Sequence, residues 1–141
     1  MLEDLLNGAG RSVVFGLIGL GLLALGFVLV DLLTPGKLKD LIWREKNANA
    51  ALLLAANQLG ISVIVFTAIF TSYDSFTEGL ASTVIFGVIG LAIMGFGFII
   101  LDWMTPGKLG EVICSPERHP GATVSAAAHF GTALIVAACI A

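Results

Sequence analysis

Between Ser12 and Leu33 the chain runs through a stretch in which Asp31 is the single charge. Three comparable stretches follow, from about Ala48 to Thr71, Ser82 to Met104 and Gly121 to Ala141. Each is long enough to cross a bilayer as an α-helix, which takes roughly twenty apolar residues. Backbone inside hydrocarbon must satisfy its own hydrogen bonds, so these runs are expected as helices. Composition agrees. The chain is 57% hydrophobic and 12% charged over 141 residues, whereas a soluble domain carries about a quarter charged residues. Such a chain cannot cover a water-facing surface with polar groups. The expected fold class is all-α integral membrane, with four transmembrane helices in a single membrane domain over residues 1–141. A net charge of -3 gives no basis for nucleic-acid binding.

The first run is expected to stay in the mature protein. The segment before it, MLEDLLNGAG, carries Glu3 and Asp4 and no base. The run is too long for a signal h-region, and no A-x-A-like cleavage site follows it.

Laying Val13 over Val84 places FGLIGLGLLALGFVLVDLLTPGKL over FGVIGLAIMGFGFIILDWMTPGKL, with about half the positions identical. Weaker pairing continues through Asp40/Glu111, Ile42/Ile113, Ala51/Ala122 and Gly60/Gly131. The chain therefore reads as two copies of a helix–break–helix unit, repeat one about 12–71 and repeat two about 82–141. A unit that crosses twice keeps its orientation when duplicated. The expectation is two parallel repeats about a pseudo-two-fold axis along the membrane normal.

The break is DLLTPGKL in one copy and DWMTPGKL in the other. Proline pushes the residue before it out of helical dihedrals, so the spans should end near Leu33 and Met104. Thr34 and Thr105 are expected to cap helices that start at Pro35 and Pro106. The following KLKDLIWREK places Leu38, Leu41 and Ile42 on one face. A short helix at the membrane interface is expected, with Trp43 as its anchor. Leu109, Val112 and Ile113 repeat that face.

Six of the seven Lys/Arg residues, Lys37, Lys39, Arg44, Lys46, Lys108 and Arg118, lie in the first and third connections. The second connection, TSYDSFTEG, carries Asp74 and Glu78 and no base. The positive-inside rule then places the first and third connections in the cytoplasm and both termini outside. Cys114 and Cys139 fall on opposite sides of the bilayer, too far apart for a disulfide, which spans about 6 Å between Cα atoms. His119 and His129 differ in depth, so no metal site or other cofactor is expected.

The Thr-Pro break after a glycine-rich span, together with the NANAALLLAANQLG that opens the second span, resembles the YjfL-like family. These are small bacterial inner-membrane proteins grouped as a domain of unknown function. The resemblance covers both units and implies a fold and a location in the inner membrane. It implies no catalytic residues. Thr34, Pro35, Asn47, Ala50, Ala51 and Gly60 match the family pattern. The second copy departs from it, with Arg118 opposite Asn47 and Pro120 opposite Asn49.

Gly16, Gly19 and Gly26 share a face within about 80° at roughly 100° per residue, and Gly87, Gly90 and Gly97 repeat the stripe. Lipid gives little hydrophobic drive for association, so small residues matter by letting backbones approach. A packing role is expected, with a ligand- or pore-lining role as the alternative. Ala51, Ala55, Gln58 and Ser62 form one face of the second span. Ala122, Ala126, His129 and Ala133 form the matching face of the fourth, with Ser125 a turn before His129. Gln58 and His129 are equivalent positions near mid-span, and Asn57 lies beside Gln58. Such a layer is either interhelical glue or a functional polar cluster able to relay protons. Asp31 and Asp102, each three residues before a Thr-Pro, are either ion-pair partners of Lys37 and Lys108 or acids at a cytoplasmic mouth.

No nucleotide loop, zinc motif, Ser/His/Asp set or dinucleotide fingerprint is present, and no enzyme is expected. Two readings remain. One is a non-catalytic, self-associating scaffold or accessory subunit that meets its own copies, a partner membrane protein or a cytoplasmic partner. The other is an oligomeric channel or transporter that passes protons or small cations along the Gln58/His129 layer.

Overall fold

The computed structural model describes residues 1–72 and 75–141; Asp74, part of the charge argument for the second connection, lies outside the described residues. The helices are α1 (Leu2–Leu33), α2 (Leu38–Trp43), α3 (Ala48–Phe70), α4 (Phe76–Met104), α5 (Leu109–Cys114) and α6 (Pro120–Ile140). Four of them, α1, α3, α4 and α6, are long and apolar enough to cross a membrane.

Two spans are longer than the apolar runs suggested. α1 starts at Leu2 and not near Ser12, because no proline interrupts the segment and Glu3 and Asp4 favour a helix N-terminus. Its 32 residues reach about 48 Å at 1.5 Å per residue, beyond the roughly 30 Å of hydrocarbon. α4 starts at Phe76. Ser75 caps it, its hydroxyl accepting from the Glu78 N–H at 3.3 Å, which is half of a capping box. Phe76 also meets Phe15 edge-on, with centroids 5.8 Å apart, and carries the Arg11 guanidinium 5.2 Å above its ring. Arg11, the one base outside the two basic connections, is thereby tied to the α1–α4 junction.

Small residues set the packing. On α1, Gly26 lies under Ile61 and Asn57 of α3. Gly87 of α4 admits Leu22 of α1, and Gly90 meets Ile64. Gly60 of α3 lies against Ala133 of α6 and Met94 of α4. These contacts run α1 antiparallel to α3, α1 parallel to α4, and α3 parallel to α6. The expected glycine stripe thus serves several partners. Gly97 faces Thr132, a Cβ at Gly19 would stand 3.5 Å from Val65, and one at Gly16 would meet nothing within 4 Å.

The expected two-fold relation is not the one present. A two-fold axis would bury matching positions of α3 and α6. Ala122, Ala126 and Ala133 are buried on α6, but their matches on α3 are the half-buried Ala51 and the exposed Ala55 and Ser62. α3 instead presents Asn57 and Gly60 to α6. It also packs on α4, while α1 and α6 barely meet. The physical reason is that α3 is apolar and small on more than one side, so more than one face can pack.

Both breaks follow one plan that differs from the expected cap. α1 ends at Leu33 and Thr34 is extended, with φ -100° and ψ 128°. Gly36 and Gly107 then take φ of 112° and 101°, a region costly for residues with a Cβ. That turn prevents a helix from starting at Pro35 or Pro106. α2 and α5 begin later, at Leu38 and Leu109. Their buried faces are Leu38 and Leu41 in one, Leu109 and Ile113 in the other, and Trp43 stays 64% exposed. These four residues join Val30, Ala50, Leu53 and Phe98 in a core under the breaks.

Candidate functional site

Three polar places stand out: a buried cluster between α1, α3 and α6, the turns of the two breaks, and the entry to α3. The buried cluster centres on Asn57. Its Oδ1 lies 2.8 Å from His129 Nε2, and its Nδ2 donates to the Gly26 carbonyl at 3.1 Å. With the amide nitrogen committed to Gly26, the oxygen must accept, so the neutral histidine carries its proton on Nε2. One asparagine thus ties three helices together. Gly26 makes this possible, since a Cβ there would stand 3.0 Å from Asn57 Nδ2. Phe98 closes the far side, edge-on to the imidazole at 6.4 Å between centroids.

Within the expected Gln58/His129 layer the two side chains do not bond each other. Gln58 turns the other way, and its Nε2 donates to the Leu23 carbonyl at 3.2 Å. Ser62 bonds back to the Gln58 carbonyl and Ser125 to the Gly121 carbonyl, each within its own helix. Neither serine belongs to the cluster. Among the described residues three buried polar atoms lack a partner, and two of them lie here: Nδ1 of His129 and Oε1 of Gln58.

Asp31 and Asp102 have the same task. Asp31 Oδ1 accepts from the Leu38 N–H at 2.6 Å, and Asp102 Oδ1 accepts from the Leu109 N–H at 2.6 Å. Each carboxylate reaches across the Thr-Pro-Gly turn and satisfies the first free donor of the next helix, as an anion at a helix N-terminus should. Among the described residues neither aspartate forms the expected ion pair with Lys37 or Lys108; Arg44 pairs with Asp40 instead. The threonines diverge. Thr105 donates to the Leu101 carbonyl at 2.7 Å, while the buried Thr34 hydroxyl has no partner.

At the third place, Asn47 and Asn49 have roles that the family pattern alone does not reveal. Asn47 caps α3, accepting from the N–H groups of Asn49 and Ala50, and donates across to the Ser115 carbonyl at 3.0 Å. Asn49 holds the α5–α6 link from both sides. Its Nδ2 donates to the Glu117 carbonyl at 2.7 Å and the Ser115 carbonyl at 3.1 Å, and its Oδ1 accepts from the His119 N–H at 3.1 Å. His119 in turn caps α6 through Nδ1, ahead of Pro120. The available signal was N-x-N before an apolar run, with no counterpart in the second copy. Nearby, the Cys114 thiol donates to the Pro35 carbonyl. Burial, and secondarily the Glu45 carboxylate, push its pKa up.

Chemically, this arrangement joins helices and starts them. Among the described residues no three or more His, Cys, Asp or Glu side chains gather as metal ligands would.

The profile of a family described as Domain of Unknown Function (DUF350) matches residues 4–140. A UPF0719 transmembrane protein of Mycolicibacterium paratuberculosis is 32% identical, over 97% of this chain and 86% of that protein. UPF0719 transmembrane proteins of Mycobacterium bovis and Mycobacterium tuberculosis are each 31% identical, over 99% of this chain and 91% of theirs. No solved structure matches the chain.

Proposed function

The chain belongs to the DUF350 family, a multi-pass transmembrane family of unknown function, and from that premise we propose that it is a non-catalytic, self-associating membrane scaffold or accessory subunit. One observation carries this reading: the polar groups within the spans are spent on the chain itself. Asn57 joins His129 to Gly26, Gln58 bonds Leu23, and the two aspartates start α2 and α5. A wet path needs side chains that turn into it, and each of these five already bonds within the chain through at least one of its polar atoms. The duplicated unit, a seat in a bacterial inner membrane, and cytoplasmic first and third connections belong to the same reading. Their support is the repeated break and the clustering of basic residues.

The permeation reading keeps one specific support. Among the described residues His129 Nδ1 and Gln58 Oε1 are buried acceptors without donors, and a passing water or cation would supply what they lack. Proteoliposome flux of protons and potassium separates the two. The scaffold reading expects flux no higher than in empty vesicles, and chemical cross-linking in native membranes that captures multimers of the chain. Flux that His129→Ala or Asp31→Asn abolishes would overturn it.

A further inference from the structure

One side of repeat one is open where the matching side of repeat two is filled. In the register that lays Val13 over Val84, Gly16 of α1 matches Gly87 of α4. Leu22 fills the space over Gly87, while a Cβ at Gly16 would meet nothing within 4 Å. Gly19 matches Gly90, where a Cβ would stand 2.8 Å from Ile64; a Cβ at Gly19 would meet Val65 at 3.5 Å. Together these positions form a groove of about 520 Å³ on the outer side of α1 and α3, lined by Phe15, Gly16, Gly19, Leu23, Ser62 and Phe66. Their matches include Met94, Ala133 and Ala137, which form the inner cluster that Leu22 and Ile64 complete.

The opposite side of the chain carries the unused counterpart. Leu22 and Ile64 are 3% and 1% exposed, whereas their matches Ile93 and Ile135 are 43% and 67% exposed. A Cβ at Gly60 would stand 2.7 Å from Ala133 Cβ, whereas one at its match Gly131 would meet nothing within 4 Å. The match of Ala133 is Ser62, exposed in the groove.

We infer that copies of this chain associate front to back, with Ile93, Gly131 and Ile135 of one copy entering the Gly16–Gly19–Ser62 groove of the next. The contact would repeat between chains the interface that already joins repeat one to repeat two. This rests on the self-association reading and gives it a geometry. Such an interface is heterologous, so copies extend into a row or close into a ring. Parallel packing of α1 with α4 and α3 with α6 keeps every copy in one orientation, as a bilayer requires. At the break end the match is poorer. Arg118 and Pro120 stand where Asn47 and Asn49 clamp the internal interface, and they would meet Arg44 and Lys46, the matches of Ser115 and Glu117. The contact between chains is thus confined to the spans and weaker than the internal one.

The test uses the full chain with Cys114→Ala and Cys139→Ala. One tagged copy carries Ser62→Cys, a differently tagged copy carries Gly131→Cys, and the two are co-expressed and oxidised in native membranes. The expected product is a disulfide between the two tags, with no cross-link when either variant is expressed alone. A third variant adds Gly16→Leu to the Ser62→Cys copy, filling the groove where the fold has free space. Cross-linking should then fall about tenfold, the factor that about 1.4 kcal/mol corresponds to, with thermal stability of the solubilised chain retained. Same-tag cross-links would overturn the front-to-back geometry. So would the absence of any disulfide in membranes where an amine-reactive cross-linker still captures multimers, and self-association would stand. Absence of both products would overturn the two together.

Discussion

Removing the Asn57 side chain tests what the buried cluster is for. Asn57→Ala deletes the 2.8 Å contact with His129 and the 3.1 Å bond to Gly26. Interhelical bonds in membranes average about 0.6 kcal/mol, so the two contribute about 1.2 kcal/mol. The larger cost is indirect. His129 is 1% exposed, and its Nε2–H loses its acceptor, which costs about 1–3 kcal/mol for a buried donor. The expected total is about 2–4 kcal/mol, read as a shift in unfolding of the detergent-solubilised chain by added dodecyl sulfate. Gln58→Ala, which loses one half-buried bond at 3.2 Å, should cost only about 0.6 kcal/mol. A double-mutant cycle sharpens the test, because in Asn57→Ala/His129→Ala the orphaned donor disappears with the ring. The double variant should be less destabilised than the sum of the singles by about 1 kcal/mol or more. If Asn57→Ala costs no more than Gln58→Ala, or the coupling lies within about 0.3 kcal/mol of zero, the cluster is not what ties the three helices.

Asp31→Ala should cost about 1 kcal/mol by freeing the Leu38 N–H, and Asp31→Asn, which keeps an acceptor oxygen, should cost less; the same unfolding assay reads both, and Asp102 should behave alike. Asn49→Ala should loosen the α5–α6 link, seen as faster amide exchange at His119, whose N–H it holds, and as new protease cleavage between residues 115 and 119. Cys114 should alkylate more slowly at neutral pH than an unhindered thiol, because its raised pKa leaves less of the reactive thiolate. The rate should climb as pH passes the ordinary thiol value of about 8.5, and Glu45→Gln should speed labelling at fixed pH in a Cys139→Ala background. The sign for stability follows: the folded state favours the neutral thiol, so any contribution is full below the unfolded pKa and is lost as pH rises through the raised one.

Much of the architecture can be read along the chain. Four spans follow from apolar length, and the ends of α1 and α4 follow from Pro35 and Pro106. The amphipathic faces of α2 and α5 follow from Leu38, Leu41, Leu109 and Ile113. The starts of α1 and α4 were set too late because hydropathy marks where lipid begins, not where helix begins. The Ser75/Glu78 cap was the signal for α4. The break falls where the prolines predict, but its cap is Asp31 and not Thr34, because a carboxylate seven residues before a helix does not look like a cap until Gly36 turns the chain back.

The candidate site was half legible. Asn57, Gln58 and His129 stand out as polar residues at depth, and repeat symmetry puts Gln58 and His129 in one layer. The fold pairs Asn57 with His129 and sends Gln58 toward α1. The roles of Asn47 and Asn49 are not legible there because their partners are backbone carbonyls of the α5–α6 link, distant in sequence.

What the sequence determined by itself is that four helices are long and apolar enough to cross a membrane, where the chain breaks and in which connections the basic residues cluster, since each depends on local hydropathy and local backbone chemistry. Which way each helix is rotated was decided only by the tertiary structure. In water an amphipathic stripe marks the inward face of a helix. In lipid the outward face is apolar too, so α3 and α6 carry no such mark. The choice falls to the fit of particular pairs, Leu22 over Gly87, Ala133 against Gly60 and Asn57 beneath His129, which exist only once the helices are side by side.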